Sequence, residues 1–217
     1  MQYKIKLAYA GLAAILAWFS VGLQFYVPVP GNLETARTIL VSIMQILSYF
    51  TILTTLMVAI AYSFILLSPN SKSGKFLSQT STLTGIAVYI GIIGFIYELL
   101  LRDRWDLDGL MKLADILLHT VNPLLFLIFW FVFVPKQHLR WRLAVYWLMY
   151  PLIYLIYILI RGAIFDVYPY HFINVTTLGY NKVIINCLWI LLAFLSFSGI
   201  FLSISRLLAP QPIKTNL

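Results

Sequence analysis

Six apolar runs, each near the length needed to cross a membrane, dominate this sequence. A helix needs about 20 apolar residues to cross the hydrocarbon core of a bilayer. A chain inside the bilayer must satisfy its own backbone polar groups, so runs of this kind fold as helices. The runs lie at about 7–27, 40–67, 83–101, 111–134, 143–160 and 183–208. We therefore predict an all-α integral membrane protein, with a single transmembrane domain of six helices over residues 1–217.

The composition excludes the soluble classes of protein. Hydrophobic residues make up 62% of the chain and charged residues only 10%, whereas a soluble domain carries about 25% charged residues. The net charge of +8 comes from bases at the ends of the apolar runs, where orientation signals are expected. We therefore expect no nucleic-acid partner. A single cysteine, Cys187, excludes an internal disulfide.

The basic residues predict the orientation of the chain in the membrane. We call side A the side with both termini and the second and fourth loops, and side B the opposite one. Side A carries Lys4, Lys6, Lys72, Lys75, Lys136, Arg140, Arg142, Arg206 and Lys214. Side B carries fewer bases: Arg37, Arg102, Arg104, Lys112, Arg161 and Lys182. Because cytoplasmic loops have an excess of Lys and Arg, we expect both termini to be cytoplasmic.

All of the acidic residues, in contrast, fall on or near side B. They are Glu34, Glu98, Asp103, Asp106, Asp108, Asp115 and Asp166. Acidic residues contribute little to orientation, so their position on one side indicates a feature specific to side B.

Two predicted spans carry polar residues on one helical face. The fourth span has Asp115, His119 and Asn122 at helical spacing. In the second span, Ser48, Thr51 and Thr55 share a face. Counted from side B at 1.5 Å per residue, Thr51 lies roughly 16 Å and His119 roughly 12 Å into its span. Ionisable groups at membrane depth indicate function, and the similar depths predict that the two polar faces meet.

Further polar residues lie nearer the side-B surface and are candidates for substrate contacts. These are Glu98, Arg161, Tyr168 and Asn186, together with Asn122 of the fourth span. The planar guanidinium group of arginine can donate two parallel hydrogen bonds to a carboxylate, so Arg161 is a candidate for binding the head group of a fatty acid. A structural ion pair between Glu98 and Arg161 is the alternative.

The pair of Thr51 and His119 suits acyl transfer. A hydroxyl is a poor nucleophile until a base takes its proton, and His is the usual base. Asp115, one helical turn before His119, would fix the tautomer of the imidazole and stabilise the cation formed in the reaction. That arrangement predicts attack by Thr51 on an ester carbonyl.

Three short segments resemble those of the androgen-induced membrane protein family: Ser48-Tyr49-Phe50-Thr51-Ile52, Leu118-His119-Thr120 followed by Pro123, and Tyr168-Pro169-Tyr170. The chain is most similar in kind to the prokaryotic six-span relatives of that family. The resemblance implies a cofactor-free threonine hydrolase of fatty acid esters of hydroxy fatty acids. It places the nucleophile on Thr51 and the base on His119.

Three other functions stay open at this stage. A transporter would carry polar faces through the whole membrane, but here the polarity fades toward side A. A metal site could use Asp115, His119, Glu98 and His171, although we assign no metal ligand. The third is a lipid-binding or structural membrane protein without hydrolase activity. Lipid from the bilayer is the expected partner, and the oligomeric state is open.

Overall fold

The computed structural model describes residues 1–27, 39–102 and 106–210, without the side chains of residues 39–41, 100 and 101. Regular structure in these ranges is entirely helical. The α-helices are α1 (Gln2–Tyr26), α2 (Ile39–Ile46), α3 (Phe50–Leu67), α4 (Lys72–Leu77), α5 (Thr80–Ile96), α6 (Gly109–Ile116), α7 (Asn122–Phe133), α8 (Leu143–Trp147), α9 (Met149–Phe165) and α10 (Val175–Leu207). Two π-helical turns, Tyr97–Leu101 and Leu117–Val121, follow α5 and α6, and a 3-10 turn, His171–Ile173, precedes α10.

Six helical stretches in the described ranges are long and apolar enough to cross a membrane. They are Gln2–Tyr26, Phe50–Leu67, Thr80–Leu99, Gly109–Phe133, Leu143–Phe165 and Val175–Leu207. The prediction of an all-helical fold with six helices that are long and apolar enough to span a membrane is therefore confirmed for the described residues. Predictions that rest on Glu34, Arg37, Asp103, Arg104 and Lys214 fall outside the described residues.

Helices α1, α3, α5 and α7 form the closely packed half of the protein. Helix α1 packs most extensively against α3, through a stripe of buried small residues: Ala10, Ala13, Ala14 and Ala17. Small side chains let membrane helices approach closely. Large buried side chains, including Tyr62, Phe126, Phe129 and Trp130, fill the space between α3, α5 and α7. We call these four helices the tight half.

Helices α9 and α10 form a much looser half. Only 11% of the apolar window of the α9 span and 22% of that of α10 is buried inside the protein, against 56% for α3 and 67% for the α5 span. Among the described residues, α9 makes its closest backbone contacts with the short helix α8. We call α9 and α10 the loose half.

The second predicted span, 40–67, is wrong in one respect, because it is not a continuous helix. Helix α2 ends at Ile46 and α3 begins at Phe50. Thr51 is therefore the second residue of α3 instead of a residue deep within a span, and Ser48 does not share its helical face. The predicted depth of Thr51 came from counting residues from about 40, and that count assumed one continuous helix.

Other boundaries move by a few residues. Helix α9 continues through Arg161 to Phe165, and α10 begins at Val175 but is kinked at Gly179 (φ 74°, ψ 159°), so its long segment starts at Tyr180, close to the predicted start at 183. Arg161 and Lys182, expected in a loop, therefore both lie on helices. The intervening turn, which carries Tyr168 and Tyr170, is correspondingly short.

Candidate active site

The break between α2 and α3 is held by side chains from the loose half. Ser48 Oγ donates to the Met44 carbonyl at 2.5 Å, and the Ser48 carbonyl accepts a 2.6 Å hydrogen bond from the Tyr154 hydroxyl. The N–H of Phe50 donates to the Tyr170 hydroxyl at 3.1 Å. Ser48 and Phe50 are buried, and buried backbone groups outside regular helix need such partners. The break therefore places Thr51 in the first turn of a helix that faces Tyr154 and Tyr170.

His119 lies at the centre of the π-helical turn Leu117–Val121. Single π turns inside α-helices are rare and are frequently found at functional sites. Asn122 stabilises this one, because its side-chain Nδ2 donates to the Leu117 carbonyl and to Ser20 Oγ of α1, each at 2.8 Å. Asn122 was predicted as a substrate contact, but it is 2% exposed and does not line the cavity described below.

The two predicted catalytic side chains lie together. Thr51 Oγ1 is 3.4 Å from His119 Nε2. On the other side of the ring, His119 Nδ1 lies 3.0 Å from Asp115 Oδ1 and 3.1 Å from the Asp115 carbonyl oxygen. Both of those atoms are acceptors, so the proton of a neutral ring belongs on Nδ1. In that tautomer, Nε2 is free to accept a hydrogen bond from the Thr51 hydroxyl.

Tyr97 completes the support of His119. Its ring stacks on the imidazole, with centroids 4.4 Å apart and planes 12° apart. Its hydroxyl donates to Asp115 Oδ2. Each oxygen of the Asp115 carboxylate is therefore engaged, one by Tyr97 and one by His119, which fixes both the carboxylate and the ring.

Tyr170 is the second tyrosine in contact with the site. Its hydroxyl accepts a hydrogen bond from the Phe50 N–H, next to Thr51 in the chain, and both Thr51 and Tyr170 line the cavity described below. Tyr170 lies in the turn before α10, and its burial raises the pKa of the hydroxyl to about 12. The group is therefore protonated near neutral pH and is available there as a donor.

An apolar cavity of about 670 Å³ adjoins these residues. Pockets of this size enclose most of a small ligand. Thr51 and His119 lie on the wall formed by the tight half, beside Ile93 and Tyr97. The facing walls belong to α9, with Leu155 and Leu159, and to α10, with Ile184 and Leu188. The cavity thus lies between the tight half and the loose half, which are in direct contact elsewhere, because α10 also packs against α5.

Tyr168, predicted as a substrate contact, does line the cavity. It packs against Gly162 so closely that a Cβ added there would lie 2.0 Å from the Tyr168 ring. Any larger residue at position 162 would therefore displace this ring.

The remaining predicted contacts do not line the cavity. Glu98 pairs with Arg102 and accepts a 2.6 Å hydrogen bond from Thr120. Arg161, 8% exposed, instead donates through Nη1 to the Val167 carbonyl at 2.8 Å and so braces the turn that carries Tyr168 and Tyr170. The predicted ion pair between Glu98 and Arg161 is therefore wrong. Asn186 donates to the Phe172 carbonyl at 2.7 Å.

Metal ligation has little geometric support. In the described ranges, no three His, Cys, Asp or Glu side chains lie close enough together to hold an ion.

Sequence reasoning assigned no role at the site to Tyr97, Tyr154 or Tyr170, although Tyr170 belongs to one of the three segments that carry the family resemblance. For Tyr154 a signal existed, because Tyr150, Tyr154 and Tyr157 share one face of the fifth span at helical spacing. For Tyr97, the sequence indicated the correct end of the helix, but we selected the neighbouring Glu98 as the candidate instead of Tyr97.

Comparisons with protein-family models, with curated proteins and with solved structures gave no match to this chain. The site geometry is therefore the basis for assigning a function.

Proposed function

We propose that this protein is an intramembrane lipid ester hydrolase, with Thr51 as nucleophile, His119 as general base and Asp115 orienting His119. The observation that carries the proposal is the 3.4 Å approach of Thr51 Oγ1 to His119 Nε2 at the wall of an apolar cavity. Catalytic hydrogen bonds are often long in an unliganded site and shorten when substrate binds. The contact of Nδ1 with Asp115 supports the tautomer that this chemistry needs.

The reaction follows in two steps. Thr51 Oγ1 attacks the ester carbonyl carbon while its proton passes to His119 Nε2; the ester C–O bond then breaks, and the leaving alcohol oxygen takes that proton. In the second step, water attacks the acyl-threonine carbonyl and gives its proton to His119. The Thr51–acyl bond breaks, Thr51 recovers the proton, and a fatty acid is released.

Helix α3 supplies stabilisation for the oxyanion that forms. The first four N–H groups of a helix have no acceptor within it, and its N-terminus carries a partial positive charge. Two of the first four N–H groups of α3 are engaged, by the Tyr170 hydroxyl at Phe50 and by the Tyr49 carbonyl at Leu53. Those of Thr51 and Ile52 are the donors next to the attacked carbonyl, an arrangement that suits an oxyanion hole.

The lipid bilayer is the source of substrate in this proposal. The cavity walls are apolar and lie between membrane-spanning helices, so an acyl ester reaches Thr51 without crossing water. The resemblance to the androgen-induced membrane protein family points to fatty acid esters of hydroxy fatty acids. We further propose cytoplasmic termini, from the excess of bases on side A, and a bacterial cytoplasmic membrane, from the resemblance to the prokaryotic six-span relatives. The proposed reaction needs no cofactor.

Lipid binding without hydrolysis is the second candidate function. The cavity favours it by itself, since an apolar pocket of this size binds acyl chains whatever residues border it. It differs from the first candidate in needing neither the hydroxyl of Thr51 nor the imidazole of His119.

Covalent labelling with fluorophosphonate probes of several alkyl lengths, mapped by mass spectrometry, tests the proposal. We expect an adduct on Thr51 in the purified protein, and none in Thr51→Ala or His119→Ala. Thr55→Ala is the matched control, because Thr55 is a buried threonine one helical turn away whose hydroxyl has no hydrogen-bond partner in the described structure. Chromatographic monodispersity checks the folding of each variant. Labelling that persists without Thr51, or no labelling of folded wild type by any probe, contradicts hydrolysis by this residue.

A further inference from the structure

Three tyrosines that line the cavity form hydrogen bonds beside the proposed catalytic pair, but they use their hydroxyls differently. The hydroxyl of Tyr97 donates its proton to Asp115 Oδ2, and that of Tyr154 donates to a backbone carbonyl. In the hydrogen bond of Tyr170, in contrast, the hydroxyl oxygen is the acceptor and the N–H of Phe50 is the donor. A tyrosine hydroxyl carries one proton, and this hydrogen bond does not use the proton of Tyr170.

The same hydrogen bond holds the Tyr170 hydroxyl at the N-terminus of α3. Phe50 is the first residue of α3 and Thr51 is the second. The distance of 3.1 Å from Phe50 N to Tyr170 Oη therefore places the hydroxyl next to the backbone of the proposed nucleophile. Thr51, His119 and Tyr170 all line the cavity, so an ester carbonyl that reaches Thr51 from the cavity also comes close to the Tyr170 hydroxyl.

The surroundings of Tyr170 favour a donor. An N–H group at the N-terminus of a helix carries a partial positive charge, and a hydroxyl that accepts from such a group becomes a stronger donor. Burial raises the pKa of Tyr170 to about 12, so its proton stays in place near neutral pH. Arg161 braces the turn that carries Tyr170, through the hydrogen bond from Nη1 to the Val167 carbonyl. A donor held in position in this way needs no reorganisation during the reaction.

We propose that Tyr170 is a catalytic residue, whose hydroxyl donates a hydrogen bond to the oxyanion formed when Thr51 attacks the ester carbonyl. This role rests on the proposed hydrolase function and adds a side-chain donor to the N–H groups of Thr51 and Ile52. When the bond from Thr51 Oγ1 to the carbonyl carbon forms, the π electron pair moves to the carbonyl oxygen and the Thr51 proton passes to His119. Tyr170 keeps its own proton, and its hydrogen bond strengthens as negative charge develops on the oxygen.

Removal of the hydroxyl tests this role. Tyr170→Phe keeps the ring, which stacks on Phe172. It should lower kcat for ester hydrolysis by about 10²- to 10³-fold, the usual effect of losing one oxyanion donor, with little change in KM. Tyr154→Phe is the matched control, because its hydroxyl supports the same break between α2 and α3 but donates to the Ser48 carbonyl. The control should retain most of the wild-type kcat, and equal losses of kcat in the two variants overturn the proposal.

A pair of ketones separates stabilisation of the oxyanion from support of the fold. Thr51 adds reversibly to a long-chain alkyl trifluoromethyl ketone, and the adduct carries an oxyanion, whereas the methyl ketone of the same chain length stays largely unreacted. Isothermal titration calorimetry in detergent measures both affinities. Tyr170→Phe should weaken binding of the trifluoromethyl ketone by about 10²-fold or more and leave that of the methyl ketone unchanged. Loss of affinity for both ketones, or for neither, would show that the hydroxyl has only a structural role.

Thr51→Ala distinguishes failure of this proposal from failure of the proposed function. If wild type hydrolyses the ester and Thr51→Ala does not, the hydrolase function is supported, and the results for Tyr170→Phe then support or overturn the role of Tyr170 alone. A folded wild type that hydrolyses no ester and binds both ketones equally overturns the hydrolase function, and the role of Tyr170 with it.

Discussion

Helices α3 and α9 both border the cavity, but they are held very differently. More than half of the α3 window is buried among α1, α5 and α7, whereas the α9 span is buried over only 11% of its window. Thr51 lies on α3, and His119 lies in the turn before α7 in the same tight half. The proposed catalytic pair is therefore fixed on the rigid side, while the wall against which an acyl chain would lie belongs to the loose half.

The difference begins with residue size. Helix α1 offers α3 a stripe of alanines, which allows close contact along the helix. The outward faces of α9 and α10 carry large exposed apolar residues, among them Ile153, Ile160, Trp189 and Leu192, which suit contact with lipid. A loosely held wall can move with little loss of packing, so the comparison predicts that changes in the tight half alter the rate of chemistry or stability, and changes in the loose half alter substrate choice.

The largest expected effect follows from removing the base in the tight half. His119→Gln should lower kcat for ester hydrolysis by about 10²- to 10⁴-fold, the usual contribution of a positioned general base. KM should change little, because the acyl chain lies mainly against the loose half. Steady-state kinetics in detergent measure both constants. A large rise in KM with kcat unchanged would place His119 in substrate binding instead.

The second largest effect is expected from a substitution that overpacks the tight half. Ala17 is fully buried on α1, so Ala17→Leu forces extra volume into the contact with α3 and should lower the free energy of unfolding by about 1–3 kcal/mol. Chemical or thermal unfolding in detergent measures the loss. In the loose half, Ile153 is 60% exposed, and Ile153→Leu should leave stability unchanged. Equal losses from the two variants would remove the distinction between the halves.

A smaller effect is expected at Tyr97. Tyr97→Phe keeps the ring stacked on His119 but removes one of the donors to Asp115. We expect kcat to fall by about three- to tenfold, the range given by one hydrogen bond of about 0.5–1.5 kcal/mol, with KM unchanged. Tyr157→Phe on α9 is the matched control and should have no effect on kcat. A Tyr97→Phe enzyme with wild-type kcat would show that Asp115 does not need this donor.

The smallest expected effect is a loss of thermal stability at alkaline pH, which depends on Tyr170 at the contact between the two halves. Burial raises the pKa of Tyr170 to about 12, above the ordinary value of 10.0 for tyrosine. A raised pKa stabilises the folded protein below pH 10, and this contribution is lost as pH rises toward 12. Tm should therefore decline over that window, and the decline should be smaller in Tyr170→Phe, which has no hydroxyl to titrate. An identical decline in both proteins would exclude Tyr170 as its source.

The six apolar helices were predictable because the length of a span is a local property of the sequence. The break at 47–49 was not predictable from the sequence. Its backbone groups form hydrogen bonds with Tyr154 and Tyr170, which are 106 and 120 residues away from their partners. The same reason applies to the π turn around His119, where Asn122 reaches Ser20, 102 residues away. The spacing of Asp115 and His119 identified them as neighbours, because both lie on one face of the same helix. Contacts between different helices could not be predicted in this way, because they depend on how the helices pack.

The uncharged lining of the cavity has a consequence for turnover. Hydrolysis converts one neutral molecule into an alcohol and a fatty acid, and the acid ionises near neutral pH. None of the described residues that line the cavity is Lys or Arg, and an anion is costly against apolar walls, so ionisation itself favours release of the product toward the polar surface. The proposed enzyme would then be emptied after each cycle by the charge that its own reaction creates, and accumulated fatty acid would inhibit it only weakly.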